Sequence, residues 1–328
     1  MELISEGKSK FKAYLGKVSK KLPVFYNPEM KGNRDISVSL LNALDREMDI
    51  ALPLAGSGVR GIRFLLECKN MKVHFNDLNP KAYELIRENL ELNNVKGVVS
   101  NLDADLFLLN SKGFDYIDID PFGSPNFFLD SAIKRIARNG ILGVTATDTS
   151  SLAGTFIKTC QRKYWAKPLH NYLMHEVGIR ILIRKVQLIG AQYEKALTPI
   201  FSHSTKHYMR VYFMCEKGKQ KADAIIRQHG EFEGAGPIWL GQLWDNSIVE
   251  KMELGELSVI QDEAKIDVVG FYDVHAICKK LKKRTPTMDL IFKEVKKKGY
   301  KICFTHFSRY GVKTDMPIDE FINIFINL

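Results

Sequence analysis

The densest chemistry in the chain lies in Ile117-Asp118-Ile119-Asp120-Pro121-Phe122-Gly123-Ser124-Pro125. Tyr116, Ile117 and Ile119 read as a strand that ends at Asp120, because proline donates no ladder hydrogen bond and stops a central strand. The turn then presents a carboxylate (Asp120), a backbone carbonyl (Pro121) and an aromatic ring (Phe122) together. That set suits a planar base with an exocyclic amine. The ring stacks on the base, and the oxygens accept its N–H groups and orient the nitrogen lone pair. An Asp-Pro pair alone also ends strands without chemistry, so its weight comes from what precedes it. Asp118 shares a strand face with Asp120. It reads either as a structural acid bonded to a neighbouring loop or as a second carboxylate able to raise one pKa of the pair.

What precedes it is a nucleotide-type unit. The apolar run Ile50–Leu54 leads into Ala55-Gly56-Ser57-Gly58-Val59-Arg60-Gly61, then a helical stretch to Cys68. Gly56 and Gly58 allow a tight turn and close approach to a ligand. A second apolar segment, Val73–Asn76, ends in Asp77, placed to bind ribose hydroxyls or to cap the next helix. Asn79 is an N-cap and Pro80 an N1 residue, with Ala82, Leu85, Ile86 and Leu90 on one helical face. Further strands are expected at Val98-Val99, ending near Asp103-Ala104, and at Gly140–Thr147, ending at Asp148. Acids at strand ends with helices between them describe an open parallel sheet, whose ligands bind at the carboxyl ends of the strands. A nicotinamide enzyme would explain Gly56, Gly58 and Asp77 equally well but gives no reason for Asp120-Pro121-Phe122. Methyl transfer from S-adenosylmethionine fits better.

The chain resembles, over nearly its whole length, the archaeal-type tRNA (guanine-26 N2)-dimethyltransferases. The matching stretches are Pro23–Pro28 with Asn33-Arg34-Asp35, Ser57–Phe64, Asn76-Asp77, Asp103-Ala104, Ile117–Pro125, Gly140–Asp148, His175–Gly178, Phe271–Asp273 with His275-Ala276, and Thr305–Ser308. The resemblance implies an α/β fold: a seven-stranded class I (Rossmann-like) methyltransferase domain with an N-terminal arm over 1–216, and a smaller α+β, winged-helix-like tRNA-binding domain over 217–328. It implies that Arg34 and Arg60 hold the methionine carboxylate, Asp77 the ribose, and Asp103 with the Ala104 backbone the adenine. Asp120 becomes the acceptor at guanine N2, with Pro121 and Phe122 beside it. Phe25 and Tyr26 read as a lid over the cofactor or as a packed arm. Dimethylation is implied by the resemblance alone. His175 and Glu176 receive no chemistry.

Composition agrees with an RNA partner. The formal net charge is +10. From Lys279 to Lys301 ten Lys/Arg face only Asp289 and Glu294, a local surplus that nearly equals the whole net charge. Lys279, Lys280, Lys282, Lys283 and Arg284 form one run, and Lys293, Lys296, Lys297 and Lys298 another, both on helix-like patterns. Two such runs in one small domain suit phosphate contact better than plain solvation. The expected order there is helix, helix, strand (Tyr300–Thr305), a loop at Gly311 and a short helix (Ile318–Ile326). Leu197–Ser204 and Tyr208–Cys215 suit the antiparallel pair closing the sheet, Glu216–Gly236 reads as a polar stretch, and Trp239 and Trp244 as core anchors. Five scattered cysteines without a Cys-x-x-Cys make a zinc site unexpected and suit a reducing cytosol. No signal peptide or 18-residue apolar run is seen, so a cytoplasmic protein without a membrane span is expected. The alternatives are a methyltransferase for another tRNA guanine or another exocyclic amine in nucleic acid, and a non-catalytic RNA-binding protein on the same scaffold.

Overall fold

The computed structural model describes residues 1–16 and 22–327. A hairpin comes first, β1 (Glu2–Glu6) against β2 (Ser9–Ala13). Then follow α1 (Lys31–Leu44), β3 (Met48–Leu52), α2 (Val59–Glu67), β4 (Met71–Asn76), α3 (Pro80–Leu92), β5 (Val98–Ser100), α4 (Ala104–Leu109), β6 (Phe114–Ile119), α5 (Leu129–Arg135) and β7 (Ile136–Ala146). With β8 (Lys195–Thr205) and β9 (Tyr208–Lys217) these strands make one seven-stranded sheet, ordered β5-β4-β3-β6-β7-β9-β8. The pairs β3–β4, β3–β6, β4–β5 and β6–β7 are parallel. Only Lys206 and His207 join β8 to β9, and so short a link between neighbours requires an antiparallel pair.

The strand order reverses between β3 and β6, and a crevice opens where the order of an open sheet reverses. The glycine turn follows β3 and Asp120 follows β6, so the topology brings both to that crevice. Buried parallel strands need apolar side chains on both faces, and Ile50, Ala51, Ile117 and Ile119 are fully buried. Helix α3 starts as its sequence requires: the Asn79 side chain accepts from Lys81 N, with Pro80 in the first turn. Its Ala82, Leu85, Ile86 and Leu90 are all buried.

β7 begins earlier than its apolar run predicts. Phe114 faces Ile136 and Tyr116 faces Ile141, so five steps of β7 lie against two of β6. Asn139, at φ +60°, helps take up the extra length. Such a bulge admits the exposed Arg138 and Asn139, which broke the apolar pattern.

The chain divides into two compact units of interleaved segments. One holds residues 1–148, 186–200 and 210–227, the other residues 149–185, 201–209 and 228–328. The second contains the hairpin β10 (His229–Phe232) and β11 (Ala235–Trp239), and the sheet β12 (Tyr272–Asp273), β14 (Ser308–Thr314), β13 (Ile302–Thr305) in that order. The helices Val274–Leu281, Met288–Lys297 and Ile318–Asn327 enclose a core of Val274, Cys278, Ile291, Val295, Val312 and Phe321. One expectation is corrected. Gly311 lies inside β14, paired with Asp273, because the chain already turns at His306-Phe307. The polar stretch after residue 216 holds the helix Lys219–Ile226 and the β10–β11 hairpin, whose short, half-exposed elements show no long apolar run. Trp239 and Trp244 are buried, and their indole N–H groups donate to Gln242 O and Ser202 O.

Gly61 sets how closely α2 packs on the sheet. A Cβ there would lie 2.3 Å from Phe75 Cε1 and 2.6 Å from Leu52 Cδ1. Gly61→Val should therefore cost about 1–3 kcal/mol through overpacking, read as a lower thermal midpoint. An unchanged midpoint would mean that the sheet yields without strain.

Candidate functional site

Asp120 closes β6 half-buried, and one of its oxygens, Oδ2, is held by Arg60 Nη2. Arg60 stands in the first turn of α2, directly after Gly58, whose φ of +79° a side chain would resist. The other groups of Arg60 are also committed. Nη1 donates to Ser37 Oγ at 2.7 Å, and Nε lies 3.6 Å from Asp118 Oδ1. Oδ1 of Asp120 and the Pro121 carbonyl have no hydrogen-bond partner among the described residues.

Beneath this pair lies a buried polar network that the sequence reading did not assemble. Arg210, on β9, donates from Nη2 to Asp118 Oδ2 at 2.5 Å and to Tyr116 Oη at 3.1 Å, and from Nη1 to Thr145 Oγ1 at 2.6 Å. Tyr116 donates to Asp118 Oδ2 at 2.6 Å, and Ser37 shares a hydrogen bond with Tyr212. Arg210 is 0% and Asp118 3% exposed. Burial acts to raise the Asp118 carboxyl, but Arg210 and Arg60 outweigh it and hold it below the usual carboxylate range. Asp118 is thus bound to Arg210 on β9, to Tyr116 and to Arg60, and no loop residue is among these partners. The only prior signal was an arginine inside an apolar strand, Tyr208–Cys215.

Asp77 closes β4. Its Oδ2 accepts from Gly56 N at 2.8 Å and its Oδ1 from Asn79 N at 3.0 Å, so it braces the glycine turn and the start of α3 together. Burial raises its carboxyl against the pull of those two N–H groups. The buried Asn76 ties the ends of β3 and β5, donating to Pro53 O and Leu102 O and accepting from Leu102 N. Asp103 is the N-cap of α4, with Oδ1 accepting from Asp105 N and Leu106 N. Ala104 follows, buried at the first helical position.

Arg34 is buried and bound by Glu6, from Nε to Oε1 and from Nη2 to Oε2, both at 2.6 Å. Glu6 also accepts from Arg63 Nη1 at 3.0 Å and from Tyr26 Oη at 3.2 Å. Burial acts to raise the Glu6 carboxyl, and the two arginines outweigh it and lower it. Tyr26 is therefore part of the packed arm. Phe25 is only half-buried. Its ring meets Phe122 edge-to-face with centroids 4.1 Å apart, and its carbonyl oxygen lies 3.0 Å from where a Cβ on Gly56 would stand.

In the other unit Lys279, Lys280, Lys282, Arg284, Lys296, Lys297 and Lys298 are exposed. Lys283 is exposed as well, but its ammonium donates to Phe325 O at 2.8 Å and Ile326 O at 2.6 Å, in the last turn of the helix Ile318–Asn327. Glu176 is buried, bound to Arg180 and Gly270 N, with Lys313 3.5 Å away. Among the described residues no cluster of His, Cys, Asp and Glu could hold a metal, and no helix is long and apolar enough to cross a membrane.

A family model described as N2,N2-dimethylguanosine tRNA methyltransferase matches residues 4–233 and 228–326. The tRNA (guanine(26)-N(2))-dimethyltransferase of Methanocaldococcus jannaschii is 40% identical, over 93% of this chain and 93% of that protein. The tRNA (guanine(26)-N(2)/guanine(27)-N(2))-dimethyltransferase of Aquifex aeolicus is 37% identical, over 98% of this chain and 94% of that protein. The solved structure of Trm1 from Pyrococcus horikoshii with S-adenosyl-L-methionine superposes with a TM-score of 0.91 at 34% identity, covering 99% of both chains.

Because the folded Glu6 and Asp118 carboxyls lie below their ordinary range, the stability they contribute is complete above the unfolded values, near pH 4, and is lost as pH falls through the folded ones. Thermal midpoints should be level down to about pH 5 and drop below about pH 4. Glu6→Gln should cost about 3–5 kcal/mol at neutral pH, since Arg34 loses its buried carboxylate while Arg63 keeps Glu67 and Asp35, and should flatten the acid limb. An acid limb identical to that of the parent chain would remove Glu6 from the acid-sensitive set.

Proposed function

The chain belongs to the N2,N2-dimethylguanosine tRNA methyltransferase family, and on that premise we propose that it transfers methyl groups from S-adenosylmethionine to the exocyclic N2 of guanine 26 in tRNA. One observation carries the reading to atoms: Asp120 stands at the switch point of the sheet with one oxygen on Arg60 and the other open, beside the open Pro121 carbonyl.

The residues present fit the cofactor. Both amide atoms of Asn33 are buried without a partner, one helical turn before Ser37, whose hydroxyl accepts from Arg60. An unmet donor and an unmet acceptor suit an amino-acid head group carrying both a carboxylate and an ammonium. Arg34 keeps Nη1 free of any hydrogen bond among the described residues, so it can take a second carboxylate while holding Glu6. Arg60 gives Nη1 to Ser37 and Nη2 to Asp120. We therefore add the orientation of Asp120 to its part at the methionine carboxylate, for which each Nη keeps a second N–H. Asp77 keeps one lone pair per oxygen for ribose hydroxyls. Oδ2 of Asp103 and the Ala104 N–H, a first-turn donor with no intrahelical acceptor, remain for an adenine edge. Phe25 packs on the glycine turn and covers that side. Bound S-adenosylmethionine supplies a methyl group already activated on sulfur.

The chain's own part is alignment and proton acceptance. The lone pair of guanine N2 is delocalised into the ring. Asp120 Oδ1 and the Pro121 carbonyl can each accept one N2–H, which turns the lone pair towards the methyl group, while Phe122 stacks on the base. The proton released on methylation passes to Asp120. The monomethylated amine has one N–H left, so a second transfer engages one of the two acceptors. Reaching the pocket requires extrusion of the base from its stack.

In this reading 1–216 carries the chemistry, and 217–328 grips the phosphates through Lys279, Lys280, Lys282, Arg284, Lys296, Lys297 and Lys298, with Lys283 held back by its bonds to Phe325 O and Ile326 O. The absence of a membrane-crossing helix among the described residues and an RNA substrate support a cytoplasmic site of action.

Asp120→Asn should lower turnover at least a hundredfold while S-adenosylmethionine and tRNA still bind. Digested nucleosides, identified by mass, should contain dimethylguanosine for the parent chain with guanine-26 tRNA and none with adenine at that position. Product at position 27 as well would extend the target, and no product with either tRNA would defeat the reading. Lys279, Lys280 and Lys282 changed together to Gln should reduce the slope of log affinity against log salt by about 2–3. Lys283→Gln should lower the thermal midpoint instead, and an unchanged slope in the triple variant would make those lysines a solvated face.

A further inference from the structure

Phe127 is the most exposed large apolar residue among the described residues, at 79%. It stands in the short helical turn Pro125–Phe128, seven residues beyond Asp120, so the chain itself holds it within about 25 Å of the catalytic carboxylate. That turn is held firmly. Gly123 O accepts from Thr147 N at 2.9 Å, and Gly123 N donates to Thr147 Oγ1 at 2.6 Å, which pins the loop to the end of β7. Ser124 caps the turn through Asn126 N, Pro125 is buried, and Leu129 behind it is fully buried. A large ring in water forgoes the free energy of burial, and here a fixed backbone presents it there. Phe122, 42% exposed on the same loop, already meets Phe25.

Resting on the proposed function, we infer that Phe127 is a wedge: it enters the tRNA stack where guanine 26 leaves and stacks on the bases that remain. The reaction needs an extruded base, extrusion leaves a gap between two flat neighbours, and an aromatic side chain on a rigid turn fills such a gap in a sequence-tolerant way. Asp120, Phe122 and Phe127 then divide the task within eight residues: one accepts from the guanine, one stacks on it, and one holds its place.

The test compares Phe127→Ala, Phe127→Leu and Phe127→Trp on two transcripts, the ordinary guanine-26 tRNA and one in which guanine 26 and its neighbours are unpaired. The alanine variant should lose about ten- to a hundredfold in kcat/KM on the ordinary tRNA and less than threefold on the unpaired one. Tryptophan should restore activity better than leucine, and S-adenosylmethionine affinity should not change. A tRNA with 2-aminopurine at position 26 should brighten on binding the parent chain and stay dim with the alanine variant. Equal losses on both transcripts, no loss on either, or a changed sedimentation mass (a contact between copies of the chain) would overturn the inference. If the parent chain methylates neither transcript, the proposed function fails first; if it methylates both and the alanine variant does so equally well, only the wedge fails.

Discussion

Two arginines from distant parts of the chain meet at Asp118, and the site is arranged around that meeting. Arg60 comes from the first turn of α2, Arg210 from β9, and both point at one buried carboxylate. Two acids and two arginines (Asp118, Asp120, Arg60, Arg210) balance in charge. That balance is what lets them stay in a protein interior, where an unpaired ion costs several kcal/mol. Asp120 lies at the rim of this set, so the buried ions orient the one carboxylate that remains accessible.

The network also ties the last strands to the candidate site. Through Arg210, β9 reaches Asp118, Tyr116 and Thr145, on β6 and β7, and fixes the strand end that carries Asp120. The loop that carries Asp120, Pro121 and Phe122 thus starts from a fixed strand end, which is what alignment of nitrogen, methyl carbon and sulfur requires. Glu6 plays the corresponding part on the opposite side. It binds Arg34 and Arg63 and so ties the N-terminal hairpin to α1 and α2, the two helices that border the glycine turn.

Local signals were legible where one segment carries the whole message. The proline after Asp120, the glycines before α2 and the Asn79-Pro80 start of α3 each act within a few residues, and each element stands where those signals placed it. Signals failed where a neighbour overrides them. The start of β7 hides behind Arg138 and Asn139, which only a bulge against β6 makes tolerable. Gly311 looked like a turn and is a strand residue because the chain had already reversed. Lys283 looked like its neighbours, yet it lies close enough to the end of the last helix to bond two carbonyls there.

By itself the sequence determined the α/β class, the family, the strand end at Asp120 and the basic character of the C-terminal region, because each depends on periodicity or on short runs of adjacent residues. Only the tertiary structure decided which acids and bases are partners. Ion pairing depends on distance and burial, and Arg210 stands 92 positions from Asp118 along the chain while lying within hydrogen-bond reach of it in space. That is why Arg60 turned out to hold Asp120, why Asp118 is bound by Arg210, and why the exposure of Phe127 could be seen only once everything around it had folded.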